Sequence, residues 1–333
     1  MKSEFLDKLL KKAQENQQRI VFPETEAVRI LQTASRLVEL KAAIPVMIGK
    51  KETICALADE NDVSTEGMIF VDHEDAELCE DIVKKYMNVC DLLSEKSIRR
   101  KIRKKENFAA ALVKIGMADG FVSGFMSTTA ETIFAAQNII GMKPGINTVS
   151  SLCVLEANGW QGPEGELLCL TDCVVVQEPD ADTLSDIAIS ACDTMHKMMG
   201  WTPKAAMLSY STDGSGDTDS VLRVRKAVEI AHEKRPDLCI DGEFQLDAAL
   251  NPQVAEKKVK RESIVAGQAN IIVFPDLNAG NIGVKLINLF GGYPVHGALL
   301  AGLERPCVDL SRSAPLDQIV GACIMLAVTA QSK

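Results

Sequence analysis

The sequence predicts an α/β protein with two lobes, each a mostly parallel sheet with flanking helices. Short apolar runs alternate with amphipathic stretches along most of the chain, which favours parallel strands covered by helices on both faces. The 333 residues exceed what one compact core usually holds. The alternation is also interrupted after the turn-rich residues 141–145, which indicates a boundary between two domains.

The first part of the chain alternates regularly. Strands are predicted at residues 19–22, 44–48, 68–71 and 120–123. Amphipathic spacing predicts helices at residues 26–40, 108–115 and 128–140. Thr128 or Thr129 can serve as the N-cap of the last of these helices.

The second part begins with two strands, 148–155 and 166–176, joined by the turn-rich segment 156–165, which predicts an antiparallel pair with a long loop. Alternation then resumes, with helices at 182–199 and 220–234 and strands at 205–209, 240–243 and 270–274. A return crossing near Pro294 would give one domain of residues 1–144 with 295–333 and a second of 145–294, with an active-site cleft between them.

Composition excludes several classes of protein. A formal charge of −10 argues against a nucleic-acid binder, and no apolar run approaches the roughly 20 residues of a membrane span. The first residues lack the apolar core of a secretory signal, so we expect a cytoplasmic protein. The basic run at 99–105 is either a solvated helix face or an aid in attracting an anionic cofactor.

Neither a metal site nor a disulfide framework is predicted. Ten cysteines without regular spacing are typical of free thiols in a chain of this length. Cys169 and Cys173 lack a second pair of ligands, and the four histidines form no helical pair with metal spacing.

Three predicted strand-to-helix junctions carry small or hydroxylated residues, at 122–130, 209–216 and 274–283. In the third, a strand opens onto a Gly/Asn loop that becomes helical at Val284, which would offer free backbone N–H groups to an anion. Such residues also simply cap helices and fill turns, but three such loops favour an anion site. The predicted binding residues are Ser127, Thr128, Thr129, Ser209, Ser211, Asn278, Gly280, Asn281 and Gly283.

The segment from Asp309 to Ser313 places the hydroxyl of Ser311 beside the guanidinium of Arg312. Arginine can clamp phosphate or carbonyl oxygens with two hydrogen bonds. Together with the three loops, this pair predicts a site for small phosphorylated substrates.

Other polar residues have two interpretations each. The three carboxylates of residues 241–247 indicate a metal or general-base site, or else partners for arginines and a helix cap. Arg29 is interpreted as one half of a local ion pair, and His296 as a structural histidine.

The whole chain resembles the phosphate acetyltransferase/phosphate butyryltransferase family. The resemblance lies in an ordered series of motifs: Val21-Phe-Pro-Glu-Thr-Glu26 with Arg29, Ala118–Gly124 with 128–130, Met207–Thr212, Asp241-Gly-Glu243, Asp247-Ala-Ala249 and Phe274–Gly283. It implies two α/β domains arranged as in isocitrate and isopropylmalate dehydrogenases, in a homodimer. It also implies reversible acyl transfer between CoA and phosphate, with CoA or acyl-CoA as a substrate and no permanently bound cofactor.

By the same resemblance, Arg312 would polarise the carbonyl or bind phosphate, and Ser311 would donate to the same group. Family members usually carry an acidic thiol base where this chain has Gln318, which makes the adjacent Asp317 the candidate base here. Ser127 stands where many members have His, and Phe134 replaces a common Arg. A Ser also replaces the usual Gly after Ser-Arg.

The favoured hypothesis is an active phosphate acyltransferase, in which Phe134 and Met126 line a roomier pocket for propionyl or butyryl groups. The alternative is a catalytically weakened protein that binds CoA and phosphate in a regulatory role, which the loss of acid at Gln318 favours. A decarboxylating hydroxyacid dehydrogenase would need metal-binding aspartates and a nicotinamide site, and the sequence shows neither.

Overall fold

The computed structural model describes residues 3–331, which form two compact units. One unit contains residues 3–142 and 303–331, and the other contains residues 143–302. Residues 295–301 belong to the second unit, where they pair with its antiparallel strand, whereas the sequence interpretation placed the return crossing near Pro294.

The strands, in chain order, are β1 (Gln18–Phe22), β2 (Ala43–Ile48), β3 (Ile69–Val71), β4 (Gly120–Ser123), β5 (Ser150–Glu156), β6 (Leu167–Thr171), β7 (Lys204–Leu208), β8 (Cys239–Phe244), β9 (Ile271–Val273), β10 (Val295–Ala301) and β11 (Cys307–Asp309). The helices are α1 (Glu4–Glu15), α2 (Val28–Glu39), α3 (Lys51–Asp59), α4 (Ala76–Val89), α5 (Glu95–Lys101), α6 (Lys105–Lys114), α7 (Thr129–Ala135), α8 (Ala181–Met199), α9 (Asp219–Lys234), α10 (Leu246–Leu250), α11 (Pro252–Lys258), α12 (Leu277–Leu286) and α13 (Leu316–Gln331). Short π-helical segments, Ala136–Ile140 and Ile287–Gly291, continue α7 and α12. Within residues 3–331, no helix combines the length and apolarity needed to cross a bilayer.

The sheet of the first unit is entirely parallel, with strand order β3-β2-β1-β4-β11. Ile20, Val21 and Phe22 are all buried, as expected of a strand covered on both faces. The chain first runs outward from β1 to β3 and then continues on the other side of β1, at β4. The carboxyl ends of β1 and β4 therefore flank a switch point, the place where open α/β sheets usually bind ligands.

The sheet of the second unit has the order β10-β5-β6-β9-β7-β8. β5 is antiparallel to both β6 and β10, and the remaining pairs are parallel. The predicted antiparallel pair is thus confirmed, and with it the mostly parallel α/β class. β6 ends at Thr171 rather than Val176, because the Asp172 carboxylate accepts hydrogen bonds from the N–H groups of residues 174–176 and turns the chain.

The predicted loop at 278–283 is wrong, because these residues are helical. α12 begins at Leu277, and its N-cap Asp276 accepts a hydrogen bond from the N–H of Ala279 at 3.0 Å. A Cβ atom at Gly280 would lie 2.2 Å from the carbonyl oxygen of Asp172. That glycine therefore permits close packing of the helix on the preceding turn and does not mark a loop.

Candidate active site

Three loops meet at one edge of the first unit's sheet. They follow the adjacent parallel strands β1, β4 and β11 and comprise residues 23–27, 124–128 and 310–315. The N–H of Leu310 donates to the carbonyl oxygen of Ser123 at 2.8 Å, and Arg29 Nη1 donates to the carbonyl oxygen of Ala314 at 3.0 Å. Arg29, in the first turn of α2, thus joins that helix to the 310–315 loop, whereas the sequence suggested a local ion pair.

The 124–128 loop is organised around the carboxylate of Glu24, which is only 4% exposed. This carboxylate accepts hydrogen bonds from the N–H groups of four consecutive residues, 124–127, over distances of 2.7 to 3.3 Å. Such a set of N–H groups is an anion-binding nest. An anion of the chain itself therefore occupies these N–H groups, in a loop that the sequence predicted to take part in an anion site.

Behind the same loop lies a second buried carboxylate, that of Asp309. Its Oδ2 accepts a hydrogen bond from Thr129 Oγ1 at 2.7 Å, while its Oδ1 has no hydrogen-bond partner. Burial raises the pKa of Asp309, although the hydrogen bond from Thr129 lowers it in part. Gly124 has a φ of +99°, and a Cβ there would lie 2.2 Å from Asp309 Oδ1, so only glycine fits without a shift.

The three predicted binding hydroxyls of this loop all have partners within the protein. Ser127 Oγ donates to Glu106 Oε1 at 3.0 Å. Thr128 caps α7 reciprocally with Glu131, which confirms the predicted N-cap. Thr129 bonds Asp309, so contact of these hydroxyls with a substrate stays a prediction.

The 310–315 loop exposes Ser311, Arg312 and Ser313. Ser311 Oγ lies 3.2 Å from Ser313 Oγ. Within residues 3–331, Arg312 has no carboxylate oxygen within ion-pair distance. Hydrogen bonds from Thr128 lower the pKa of Glu131, and the charges of Lys104 and Arg312 add to this effect. Arg312 is therefore an available cation whose field reaches the neighbouring loop.

Asp317 and Gln318 both lie in the first turn of α13 and are both exposed. Successive helical residues point about 100° apart, so only one of the two can face a given atom directly. The geometry offers Asp317 as an exposed carboxylate in that turn, and its role as the thiol base stays a prediction.

In the second unit, Ser211 is completely buried. Its Oγ donates to Glu243 Oε1 at 2.7 Å and accepts from the N–H of Gly216 at 2.9 Å. Burial would raise the pKa of Glu243, but hydrogen bonds from Arg225 and Ser211 lower it to about 2. The hydroxyl of Ser211 is thus engaged within the protein, and its contact with substrate stays a prediction. Ser209 Oγ accepts from the N–H of Ser211 at 3.1 Å, and its contact with substrate stays a prediction.

Three of the first four N–H groups of α12, those of Leu277, Ala279 and Gly280, have partners within the protein. The N–H of Leu277 donates to the carbonyl oxygen of Gln177, and that of Gly280 to the carbonyl oxygen of Asp276. Asn281 Nδ2 donates to the carbonyl oxygen of Cys173 at 3.1 Å. Gly280 and Asn281 thus hold the helix on the preceding turn. Asn278 is exposed and Gly283 half-buried, and both stay predicted substrate contacts.

The carboxylates of residues 241–247 pair with cations. Asp241 lies 2.7 Å from Arg261, Glu243 2.7 Å from Arg225, and Asp247 2.7 Å from Lys258. The pairing interpretation of this segment is confirmed. Across residues 3–331, no group of three or more His, Cys, Asp or Glu side chains could hold a metal ion. His296 Nε2 lies 3.5 Å from Glu156, in keeping with its interpretation as a structural histidine.

Sequence reasoning missed the roles of Glu24 and Asp309. Both residues lie in segments singled out for other reasons, Glu24 in the first family motif and Asp309 beside Ser311. The partners of Glu24 lie about a hundred residues away, so no local spacing reveals the contact. The close approach of Gly124 to Asp309 likewise depends on the pairing of β4 with β11.

A parallel sheet with a switch point at the carboxyl ends of its strands is the arrangement in which α/β enzymes commonly bind their ligands, and the exposed Ser-Arg pair lies at that edge. Residues 4–327 match the family described as phosphate acetyl/butaryl transferase, and the chain belongs to this family. It is 38% identical over 333 residues to a phosphate acetyltransferase of Acetivibrio thermocellus, covering 98% of each chain. The predictions of the family and of a phosphate acyltransferase-type enzyme are confirmed.

Solved structures agree with this assignment. A phosphotransacetylase from Streptococcus pyogenes superimposes with a TM-score of 0.89 at 34% identity, over 100% of both chains. A 4-hydroxythreonine-4-phosphate dehydrogenase from Klebsiella pneumoniae reaches 0.56 at 12% identity, over 94% of this chain and 99% of that one. The second likeness concerns the fold alone, and it supports the predicted dehydrogenase-like architecture.

Replacing Glu24 by Gln tests the role of the buried carboxylate. The NH₂ group of the amide is a donor and would face backbone N–H groups that are also donors, so some of them would lose their acceptor. We therefore expect the free energy of unfolding to fall by about 2 to 3 kcal/mol. Glu26→Gln, two residues away on the surface, should change it by less than about 0.5 kcal/mol. Urea unfolding of both variants makes the comparison, and equal effects would contradict the role assigned to Glu24.

Proposed function

We propose that the protein transfers a short acyl group reversibly between CoA and inorganic phosphate, using the 310–315 loop as its catalytic centre. The observation that carries the proposal is Arg312, an exposed guanidinium without a carboxylate partner within residues 3–331, at the switch-point edge of a parallel sheet. Membership of the family and the names of its relatives support the choice of substrates.

The proposed chemistry is direct displacement. The CoA thiolate attacks the carbonyl carbon of an acyl phosphate, and a C–S bond forms. The bond between that carbon and the oxygen that bridges to phosphorus breaks. The acyl group leaves on sulfur as acyl-CoA, and inorganic phosphate leaves with the bonding electron pair. The thiol proton passes to a base, and the reverse reaction returns it.

Arg312 is assigned to the oxygens on which negative charge builds up, and Ser311 donates a hydrogen bond to the same group. Because Glu24 already occupies the N–H groups of residues 124–127, we assign phosphate binding to side chains rather than to that loop's backbone. Asp317 is assigned as the base that takes the thiol proton, since it is exposed in the first turn of the helix that follows the loop.

We further propose a cytoplasmic homodimer. The ten cysteines are all free thiols, which suits a reducing compartment. The second unit exposes a cluster of large apolar side chains, and such surfaces commonly mark protein contacts. The cluster consists of Ile282, Leu286, Leu289 and Phe290, with exposures of 51 to 84%.

Light scattering tests the homodimer. The wild-type protein should have twice the chain mass, and Phe290→Glu should shift the measured mass toward that of the monomer. A wild-type monomer at micromolar concentration would contradict the dimer.

Replacement of Arg312 tests the catalytic assignment. Losing a donor to the developing negative charge typically costs about 3 to 4 kcal/mol, so Arg312→Gln should lower kcat by roughly two to three orders of magnitude. Arg36→Gln, which breaks only an exposed pair with Glu39, serves as the control. The assay follows acyl-CoA formation from acetyl, propionyl and butyryl phosphate, and an Arg312→Gln kcat near that of the control would contradict the assignment.

The thiol base is tested by exchanging Asp317 and Gln318. Asp317→Asn should lower kcat and remove the acidic limb of the pH–rate profile, because an amide cannot take the proton in place of the carboxylate. Adding Gln318→Glu to that variant should restore activity if the base can act from the neighbouring position. An unchanged profile in Asp317→Asn would rule this residue out.

The wild-type assay also distinguishes an active acyltransferase from a catalytically weakened protein that only binds CoA and phosphate. Turnover with any of the three acyl phosphates supports the proposal. Binding of CoA and phosphate without turnover would instead favour the weakened regulatory relative.

A further inference from the structure

The exposed side chains of the 310–315 loop lie on a four-residue turn. The N–H of Ala314 donates to the carbonyl oxygen of Ser311 at 3.0 Å. This hydrogen bond closes a β-turn with Arg312 and Ser313 at its two central positions. The turn brings the side chains of Ser311 and Ser313 together, and their hydroxyl oxygens lie 3.2 Å apart.

Neighbouring elements fix both ends of this turn. Before it, the N–H of Leu310 donates to the carbonyl oxygen of Ser123 at 2.8 Å. At its end, Arg29 Nη1 donates to the carbonyl oxygen of Ala314 at 3.0 Å. The contact between the two hydroxyls is therefore carried by a backbone that is anchored on both sides.

Ser313 stands where the family resemblance leads us to expect glycine, and its backbone explains why serine fits. Within residues 3–331, the residues other than glycine with a positive φ are Lys41, Asp62 and Asp213. Ser313 is not among them, so its backbone conformation does not require glycine. What serine adds to the turn at this position is one hydroxyl group, next to that of Ser311.

The hydroxyl of Ser311 has a single proton, and its direction decides what the group can do. A serine hydroxyl donates one hydrogen bond and can accept two. In the contact between Ser311 and Ser313, either oxygen can be the donor. If Ser311 donated to Ser313, its O–H would not be available to a substrate oxygen. If Ser313 donates instead, the O–H of Ser311 stays available.

The second orientation also makes Ser311 a stronger donor. Hydrogen bonds in a chain polarise one another, so a hydroxyl that accepts a hydrogen bond donates a stronger one. Negative charge that builds up on a substrate oxygen favours hydroxyls whose O–H bonds point toward it. Arg312 lies between the two serines, and its guanidinium favours the approach of such an oxygen to the turn.

We propose that Ser313 is a positioning residue for the reaction: its hydroxyl donates to Ser311 Oγ, and Ser311 directs its own O–H to the acyl phosphate oxygen on which negative charge builds up. The inference rests on the proposed function, which assigns Ser311 as a donor to that group. Ser313 acts through Ser311 and does not touch the substrate. The two hydroxyls reach this arrangement by rotation alone, and no covalent bond forms or breaks at either serine.

Substitutions at position 313 test the hydroxyl. Ser313→Ala removes one neutral hydrogen bond, so kcat for acyl-CoA formation should fall about three- to tenfold. The KM values for CoA and for acetyl phosphate should stay within about twofold of wild type, because Ser313 does not touch either substrate. Ser313→Thr keeps a hydroxyl and should retain at least about half of the wild-type kcat. A wild-type kcat in Ser313→Ala, or a kcat of Ser313→Thr as low as that of Ser313→Ala, would overturn the inference.

Ser64→Ala is the matched control. Ser64 is also exposed, and its hydroxyl accepts a hydrogen bond from the N–H of Glu66, two residues further along the chain. It precedes β3 and so lies at the opposite edge of the same sheet. Its kcat should stay within about twofold of wild type.

A double-mutant cycle shows whether the two hydroxyls act together. Ser311→Ala removes the donor assigned to the substrate and should lower kcat at least about tenfold. In that background, adding Ser313→Ala should change kcat by less than about twofold, because the Ser313 hydroxyl has lost the group through which it acts. An equal effect of Ser313→Ala in both backgrounds would show that Ser313 acts independently of Ser311 and would overturn the inference.

The same variants separate this inference from the proposed function. If wild type gives no turnover, or if Ser311→Ala turns over like wild type, the role assigned to Ser311 falls and the inference falls with it. If Ser311→Ala is slow and Ser313→Ala is not, the proposed function stands and the inference alone is overturned. The urea unfolding midpoint of Ser313→Ala should equal that of wild type, because the side chain is exposed. A midpoint that falls together with kcat would indicate a structural role instead.

Discussion

In both units, loops at the carboxyl ends of strands depend on buried carboxylates that bind the chain's own N–H groups. At the switch point, Glu24 crosses from the loop after β1 and holds four consecutive N–H groups after β4. In the second unit, Asp172 and Glu243 hold the turns after β6 and β7 in the same way. A buried carboxylate is stable only when such donors replace its lost water, so each loop and its acid depend on each other.

This arrangement limits how the 124–128 loop can bind an anion. In many α/β proteins, backbone N–H groups at the ends of strands hold the phosphate directly. Here the N–H groups of residues 124–127 hold Glu24 and are not free for a substrate phosphate. The exposed guanidinium of Arg312 can offer charge-assisted hydrogen bonds instead. Its loop lies beside the one that Glu24 fixes, since the N–H of Leu310 donates to the carbonyl oxygen of Ser123.

Prediction from the sequence succeeded where the signal is local. The strand at 120–123 and the helix of residues 220–234 are seen within one residue of their predicted limits, because apolar periodicity is set by which faces are buried. The prediction failed at 278–283, where glycine and asparagine were interpreted as a loop. Gly280 is required there because a neighbouring backbone oxygen lies too close for any side chain, and no local pattern distinguishes that cause from a turn.

The class of fold, the order of the elements, the family and the Ser-Arg pair can all be predicted from the sequence, because they follow from periodicity and from motifs of a few residues. The contact of each acid with its loop depends on the three-dimensional fold, since the partners of Glu24 and Glu243 come from distant segments joined by strand order. The fold also decides that Ser211 is buried and Arg312 exposed, although both stand in hydroxyl-rich loops after strands. Availability to a ligand depends on which internal groups each side chain satisfies, and that is a property of packing in three dimensions.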